Sequence, residues 1–92
     1  HLVEEKLAAC VNLLPEVRSF YTWQGNFQID REELLVIKTG DWLFSKLESR
    51  IKELHPYEVP EIICMPIEAG SAPYMSWLNS NLTSRIPSTA KD

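Results

Sequence analysis

Two stretches of this 92-residue chain are apolar at nearly every position, and they constrain the fold more than any other feature. Residues 34–37 read Leu-Leu-Val-Ile, and residues 61–67 contain three isoleucines, a cysteine and a methionine. A strand alternates its side chains between two faces, so a continuously apolar strand needs cover on both faces. Helices on one side of a sheet cover only one face. The pattern therefore predicts two buried strands and favours another subunit as the second cover.

Size and charge exclude several classes of protein. The length fits one domain, and no apolar run approaches the roughly 20 residues of a membrane span, so no membrane insertion is expected. The net charge is −4, which repels phosphate backbones and argues against nucleic acid as a partner. Cys10 and Cys64 lie in apolar sequence without CxxC spacing, which predicts buried, reduced thiols and a cytoplasmic protein.

The remaining pattern predicts alternating strands and helices. A helical composition over 1–10 lacks a preceding cap, and residues 71–82 form a second amphipathic stretch with Pro73 in its first turn. The predicted elements are a helix over 1–10, a strand over 11–24 bent near Pro15, a turn at Gly25 and Asn26, a returning strand over 27–39, a helix over 41–54 capped by Asp41, a strand over 61–67 and a helix over 71–82. We expect a domain over 1–82 and a mobile tail over 83–92.

The densest chemistry lies between the predicted helix over 41–54 and the strand that follows it. Residues 54–61 read Leu-His-Pro-Tyr-Glu-Val-Pro-Glu. Proline disfavours helical dihedrals in the residue before it, so Pro56 and Pro60 predict a stiff, extended connector. A rigid loop on a folded scaffold is a common place for functional side chains.

Four separated motifs resemble the CutA family of divalent-cation tolerance proteins. They are Leu-Ala-Ala-Cys-Val-Asn at 7–12, Tyr-Thr-Trp-Gln-Gly at 21–25, Ile-Lys-Thr at 37–39 and His-Pro-Tyr-Glu-Val-Pro-Glu at 55–61. The resemblance implies an α+β, ferredoxin-like βαββαβ sandwich with an extra C-terminal helix, assembled as a homotrimer related to the PII signalling proteins. The family's first strand has no counterpart here, so we expect the sequence to be N-terminally incomplete.

The resemblance also implies a metal site at His55. Bacterial members linked to copper carry a cysteine on the first strand and a second histidine at the position of Leu54, so only His55 carries over. From the residues alone, His55 is equally a helix C-terminal residue that bonds a carbonyl or favours the helix dipole. Both interpretations stay open. No cofactor is required, and copper or another divalent cation is the expected ligand.

A second candidate site is a cleft between subunits. Lys38 shares a strand face with Leu34 and Val36 and needs a partner, for which Glu61 is the candidate. The residues expected in this cleft are Trp23, Lys38, Tyr57, Glu58 and Glu61, and a small anionic or polar ligand would suit them. Trp23 shares its face with Tyr21, a pairing that more often serves packing than ligand binding.

These features predict a protein of the response to metal ions that binds copper weakly. The alternative is a PII-like ligand-binding protein or a scaffold that anchors a protein partner, since mammalian relatives are associated with membrane-anchored enzymes. The sequence contains no nucleophile beside a base, no phosphate loop and no dedicated metal motif, so no enzymatic activity is expected.

Overall fold

The computed structural model describes residues 1–55 and 60–84. Its elements, in chain order, are strand β1 (Cys10–Trp23), strand β2 (Asn26–Lys38), a 3-10 turn (Asp41–Leu43), helix α1 (Phe44–Leu54) and helix α2 (Ala72–Ser80). The two strands form one antiparallel sheet, which makes the chain an α+β protein as predicted. No helix of the described residues is long and apolar enough to cross a membrane.

The hairpin of β1 and β2 is the largest element, and the alternating pattern predicted it. Trp23 pairs with Asn26, so Gln24 and Gly25 form a two-residue turn, both with positive φ. The predicted turn at Gly25 and Asn26 was therefore wrong by one residue, because Asn26 already belongs to β2. The molecule extends 55 × 29 × 22 Å, and a hairpin of this length accounts for the long axis.

The predicted bend near Pro15 is a β-bulge. The register shifts between Leu14 and Val17, so Pro15 and Glu16 together oppose Glu33. Proline has no backbone N–H to give to the ladder, and Glu16 adopts a left-handed φ of 59°, which turns the strand at this point. The extra residue shifts the alternation of β1 by one position, so Leu14 and Val17 lie on the same face of the sheet.

The core lies at one end of the hairpin, under the helices. It consists of two adjoining clusters. One cluster buries Ala9, Leu43, Leu78 and Leu82. The other buries Leu2, Ala8 and Leu47 and is flanked by Val11, Ile37 and Ile51. Leu7 contacts both clusters, so residues 2–9 pack against both α1 and α2.

Residues 1–9 are not the predicted helix but a set of turns. One bond of helical spacing forms, from the Glu5 N–H to the His1 carbonyl at 2.9 Å, and Lys6 then takes a left-handed φ of 60°. A helix this short barely nucleates by itself, and a left-handed residue ends it. The turns instead bring Ala8 and Ala9 into the core.

Residues 61–67 do not form the predicted strand. A strand needs a neighbour with which to pair, and among the described residues the sheet contains only β1 and β2, which pair with each other. Most of their side chains are exposed, with Ile63 at 72% and Met65 at 78%, and Ile62 is half-buried. Cys64 is exposed and Cys10 half-buried, so the prediction of two buried thiols was wrong.

Two details at the helix ends also differ from prediction. Asp41 is not the cap, because the helical segment begins with the 3-10 turn after Gly40 and no side chain caps it. At the other end, Thr83 remains packed: its N–H and hydroxyl donate to the Lys6 carbonyl at 2.9 and 3.2 Å, and its own carbonyl accepts from the Trp42 indole at 3.0 Å. Ordered contacts thus continue past the predicted domain end at Leu82, whereas residues 85–92 lie outside the described part.

Candidate functional site

His55 follows the last residue of α1, as predicted, and its backbone is fixed there. Its N–H donates to the Ile51 carbonyl at 2.8 Å, which closes the final turn of the helix. The hydrophobic face of α1 holds this turn against the core through Leu47 and Ile51. The position of His55 is therefore set by the helix, while its side chain is exposed at the surface.

A concave cavity of about 260 Å³ lies beside this helix end. Among the described residues it is lined by His1, Leu2, Val3, Val11, Leu54 and His55. The wall is mainly apolar, and both histidines of the chain lie in it. Sequence reasoning missed His1, because its nearness to His55 depends on the turns of residues 1–9 and not on any spacing along the chain.

The segment that carries His1 is tied to α1 by a bidentate ion pair. Arg50 of α1 donates to both carboxylate oxygens of Glu5, with N···O distances of 2.8 to 3.1 Å. These hydrogen bonds hold the pKa of Glu5 below its ordinary value and raise that of Arg50. Leu2 adds a buried apolar contact to the same helix, so the two walls of the cavity are fastened together.

Lys38 has a partner, although not the predicted one. It lies opposite Cys10 in the register, donates to the Asn12 side-chain oxygen, and brings its ammonium group within 4.0 Å of the Cys10 sulfur. Within one chain, Lys38 therefore contacts the neighbouring strand and not Glu61, and the pairing with Glu61 between subunits stays a prediction. This cluster lies on the sheet face opposite Val11 and Ile37, the face that α1 does not cover.

Trp23 and Lys38, two of the residues predicted for the ligand cleft, do not meet within one chain. Trp23 ends β1 at the hairpin turn, and Lys38 ends β2 at the opposite end of the same hairpin, which puts them about 40 Å apart at ~3.3 Å per residue. A cluster that contains both residues needs more than one copy of the chain. Tyr57 and Glu58 lie outside the described residues, and Glu61 is exposed.

The tip of the hairpin presents one polar and one apolar face. On the polar face, Tyr21 donates to the Asp30 carboxylate and Ser19 donates to Glu32 at 3.1 Å. The bond to Asp30 favours the neutral phenol and raises the pKa of Tyr21. The apolar face exposes Phe20 at 55%, Phe27 at 67% and Ile29 at 56%, with the Arg18 guanidinium 5.9 Å from the Phe20 ring centre.

Side chains that could ligate a metal ion are scattered over the described part of the chain. No group of three or more His, Cys, Asp or Glu side chains comes together in residues 1–55 and 60–84. A closed zinc site uses four such ligands. The cavity at His55 instead offers two imidazoles, a donor type that suits copper and zinc.

Comparison with known proteins places this arrangement in a family. The family model for CutA1 divalent ion tolerance protein matches residues 1–81. The Thermus thermophilus divalent-cation tolerance protein CutA is 52% identical over 80 residues, which cover 87% of this chain and 78% of that protein. The rice chloroplastic protein CutA 1 is 46% identical over 80 residues, again 87% of this chain, yet the match spans only 45% of the rice protein.

Solved structures agree on the fold. The divalent cation tolerance protein from Thermus thermophilus superposes with a TM-score of 0.86 at 51% identity, covering 89% of this chain and 80% of that one. The PII-like protein CutA from Nostoc sp. PCC 7120, in its apo form, gives 0.81 at 37% identity with the same coverages. These are ferredoxin-like relatives, so the predicted fold class is confirmed. The chain belongs to the family of CutA1 divalent ion tolerance proteins.

Proposed function

We propose that this protein acts in the response to divalent metal ions by binding copper(II) weakly at His55. The observation that carries the proposal is that a fixed helix end presents the His55 side chain at a concave cavity. A relative in Thermus thermophilus is named a divalent-cation tolerance protein, and this name supports the same function. The proposed role is binding, and no catalytic step is assigned to the chain.

The chemistry of the cavity accounts for modest affinity. Neutral imidazole is a good nitrogen donor for copper and zinc, whereas magnesium and calcium prefer oxygen. Free histidine protonates near about pH 6.5, so metal binding through imidazole weakens below that pH. The two thiols are free, which suits the cytoplasm that we propose as the protein's compartment.

We further propose that the protein works as a homotrimer. A hairpin of two strands is marginal in water, and this one leaves large apolar side chains exposed on both faces. They are Leu13, Leu14, Phe20, Tyr21, Trp23, Phe27, Ile29, Leu34, Leu35 and Val36. Other copies of the chain would cover these side chains. Their burial would stabilise the assembly by about 25 cal/mol for each Å² of apolar surface removed from water.

Calorimetric titration of copper(II) and zinc into the wild type and His55→Ala tests the metal proposal. We expect saturable binding in the wild type and none in His55→Ala, with binding weaker at about pH 5.5 than at about pH 7.5. Leu54→Ala is the matched control, because it enlarges the same cavity without removing a donor. Equal isotherms for wild type and His55→Ala would exclude His55 from the site.

The second candidate function is PII-like binding of a small anionic ligand at Lys38, or the anchoring of a protein partner there. It is favoured by the position of Lys38, Asn12 and Cys10 on the sheet face that α1 leaves uncovered. Lys38→Met should then abolish the binding of a small carboxylate or phosphate, while Lys46→Met on the exposed side of α1 should have no effect. Unchanged binding in Lys38→Met would remove this candidate.

A further inference from the structure

Two arginines face each other across the hairpin of β1 and β2. Arg18 of β1 is directly opposite Arg31 of β2 in the strand register. Side chains of directly opposed residues emerge on the same face of a sheet, with their Cβ atoms about 5 Å apart, and like charges placed in this way destabilise the pair. A negative group between the two guanidinium groups would therefore relieve a repulsion that the strand pairing imposes.

The acidic residues that flank Arg31 in the sequence lie on the other face of the hairpin. Because side chains alternate along a strand, Asp30 and Glu32 point away from the face that carries Arg31. On that other face Asp30 accepts a hydrogen bond from Tyr21, and Glu32 accepts one from Ser19 at 3.1 Å. In the part of the chain that the structure describes, neither arginine forms an ion pair. Their two positive charges are thus available to a ligand.

The two arginines stand between an apolar pair and a carboxylate. Towards the hairpin turn, the next pair on the same face is Phe20 and Ile29, which are 55% and 56% exposed. The Arg18 guanidinium lies over the Phe20 ring, 5.9 Å from its centre. Stacking of this kind uses the flat face of the guanidinium, so the N–H donors in its plane stay free to bind. In the other direction, the next residue of β2 on this face is Glu33.

We propose that Arg18 and Arg31 form a binding site for a small phosphate monoester that carries an aromatic group. The guanidinium fork matches the geometry of phosphate oxygens, and two forks supply two positive charges. A phosphate monoester carries a charge of about −1.5 to −2 at pH 7, which suits this pair. The aromatic group would lie on the apolar side, against Phe20, because the carboxylate of Glu33 makes the other side unfavourable for it.

The test is a titration of wild type, Arg18→Gln and Arg31→Gln with phenyl phosphate, followed by the nuclear magnetic resonance shifts of the backbone amides. In the wild type we expect saturable shifts within residues 17–31. Each glutamine variant should raise the Kd at least about tenfold, because it removes one of two charge-assisted donors. Binding should also weaken below about pH 6, where the phosphate takes up its second proton.

Lys46→Gln is the matched control, because it removes one positive charge from the exposed side of α1 and should change the Kd by less than about twofold. Phe20→Leu keeps an apolar side chain but removes the ring, so it should weaken phenyl phosphate more than inorganic phosphate. His55→Ala and Lys38→Met alter the two sites considered above, and both should leave the shifts of residues 17–31 unchanged. This inference therefore stands or falls separately from the proposed function.

The urea midpoint and the native mass of each variant show whether it folds and assembles as the wild type does. If a glutamine variant does not fold, Arg18→Lys takes its place, because it keeps the charge and loses the fork, and it should still bind more weakly than the wild type. Equal Kd values for the wild type and both arginine variants would overturn the proposal. So would an equally large loss in Lys46→Gln, or shifts that do not saturate by about 10 mM, since each indicates general charge attraction. Equal affinities for phenyl phosphate and inorganic phosphate would overturn the place given to the aromatic group.

Discussion

At the scale of single residues, the ion pair of Glu5 and Arg50 makes stability depend on pH. The pKa of Glu5 is lowered in the folded state by hydrogen bonds from Arg50. A group with a lowered folded pKa contributes stability above its unfolded pKa, and that contribution is lost as the pH falls through the folded value. We expect the unfolding free energy of Glu5→Gln to be lower than that of the wild type at neutral pH. The difference between the two proteins should shrink as the pH falls.

Urea unfolding of both proteins between about pH 7 and pH 3 checks this expectation. Glu4→Gln is the control, since it neutralises the adjacent carboxylate, which does not contact Arg50. The effect should shrink at about 1 M salt, because both partners are partly exposed and screened. Parallel pH profiles for wild type and Glu5→Gln would show that the pair does not couple folding to pH.

Residue chemistry was partly predictable from the sequence. The rule that a lysine on an apolar strand face needs a partner was right for Lys38, whose partner within one chain is Asn12 on the paired strand. The pairing with Glu61 between subunits stays a prediction. The identity of the partner depends on the strand register, which the bulge at Pro15 and Glu16 shifts. The cavity beside His55 could not be predicted from the sequence, because it forms between residues that are far apart along the chain, among them His1.

At the scale of elements, α2 is held by one fully buried side chain. Leu78 is 2% exposed and packs with Ala9, Leu43 and Leu82, so it links α2 to residues 2–9 and to the 3-10 turn that precedes α1. Leu78→Ala should cost about 2–5 kcal/mol of unfolding free energy, the range for a buried leucine whose cavity does not collapse.

Asn79→Ala is the matched control for Leu78→Ala, because it alters the next residue of the same helix on its exposed side. Surface substitutions of this kind usually change stability by less than about 0.5 kcal/mol. Chemical denaturation monitored by tryptophan fluorescence gives both values. Similar losses for the two variants would mean that Leu78 does not anchor the helix.

Elements with their own local signals were predicted well. The alternating residues of the hairpin, its bend at Pro15 and the periodic apolar face of α1 all correspond to observed structure. The failures were elements that depend on neighbours. Residues 1–9 form turns in which Lys6 takes a left-handed φ, and residues 61–67 pair with neither strand of the described sheet.

At the scale of the whole molecule, the chain is extended and not compact. The Cα radius of gyration is 16.0 Å, against about 12 Å for a compact domain of this length, because the hairpin extends beyond its core. The exposed apolar side chains of the hairpin and of residues 61–67 are the surfaces that other copies would cover in the proposed trimer. The continuous apolar runs in the sequence predict this same need for cover.

Native mass spectrometry of the protein with copper(II) tests the central claim, metal binding by a trimeric member of this family, in one measurement. The predicted species has three times the 10.6 kDa chain mass and carries one copper ion for each chain, and the copper is lost in His55→Ala without loss of the trimer. A species of one chain mass at micromolar concentration, or a trimer that takes up no copper, would contradict the account.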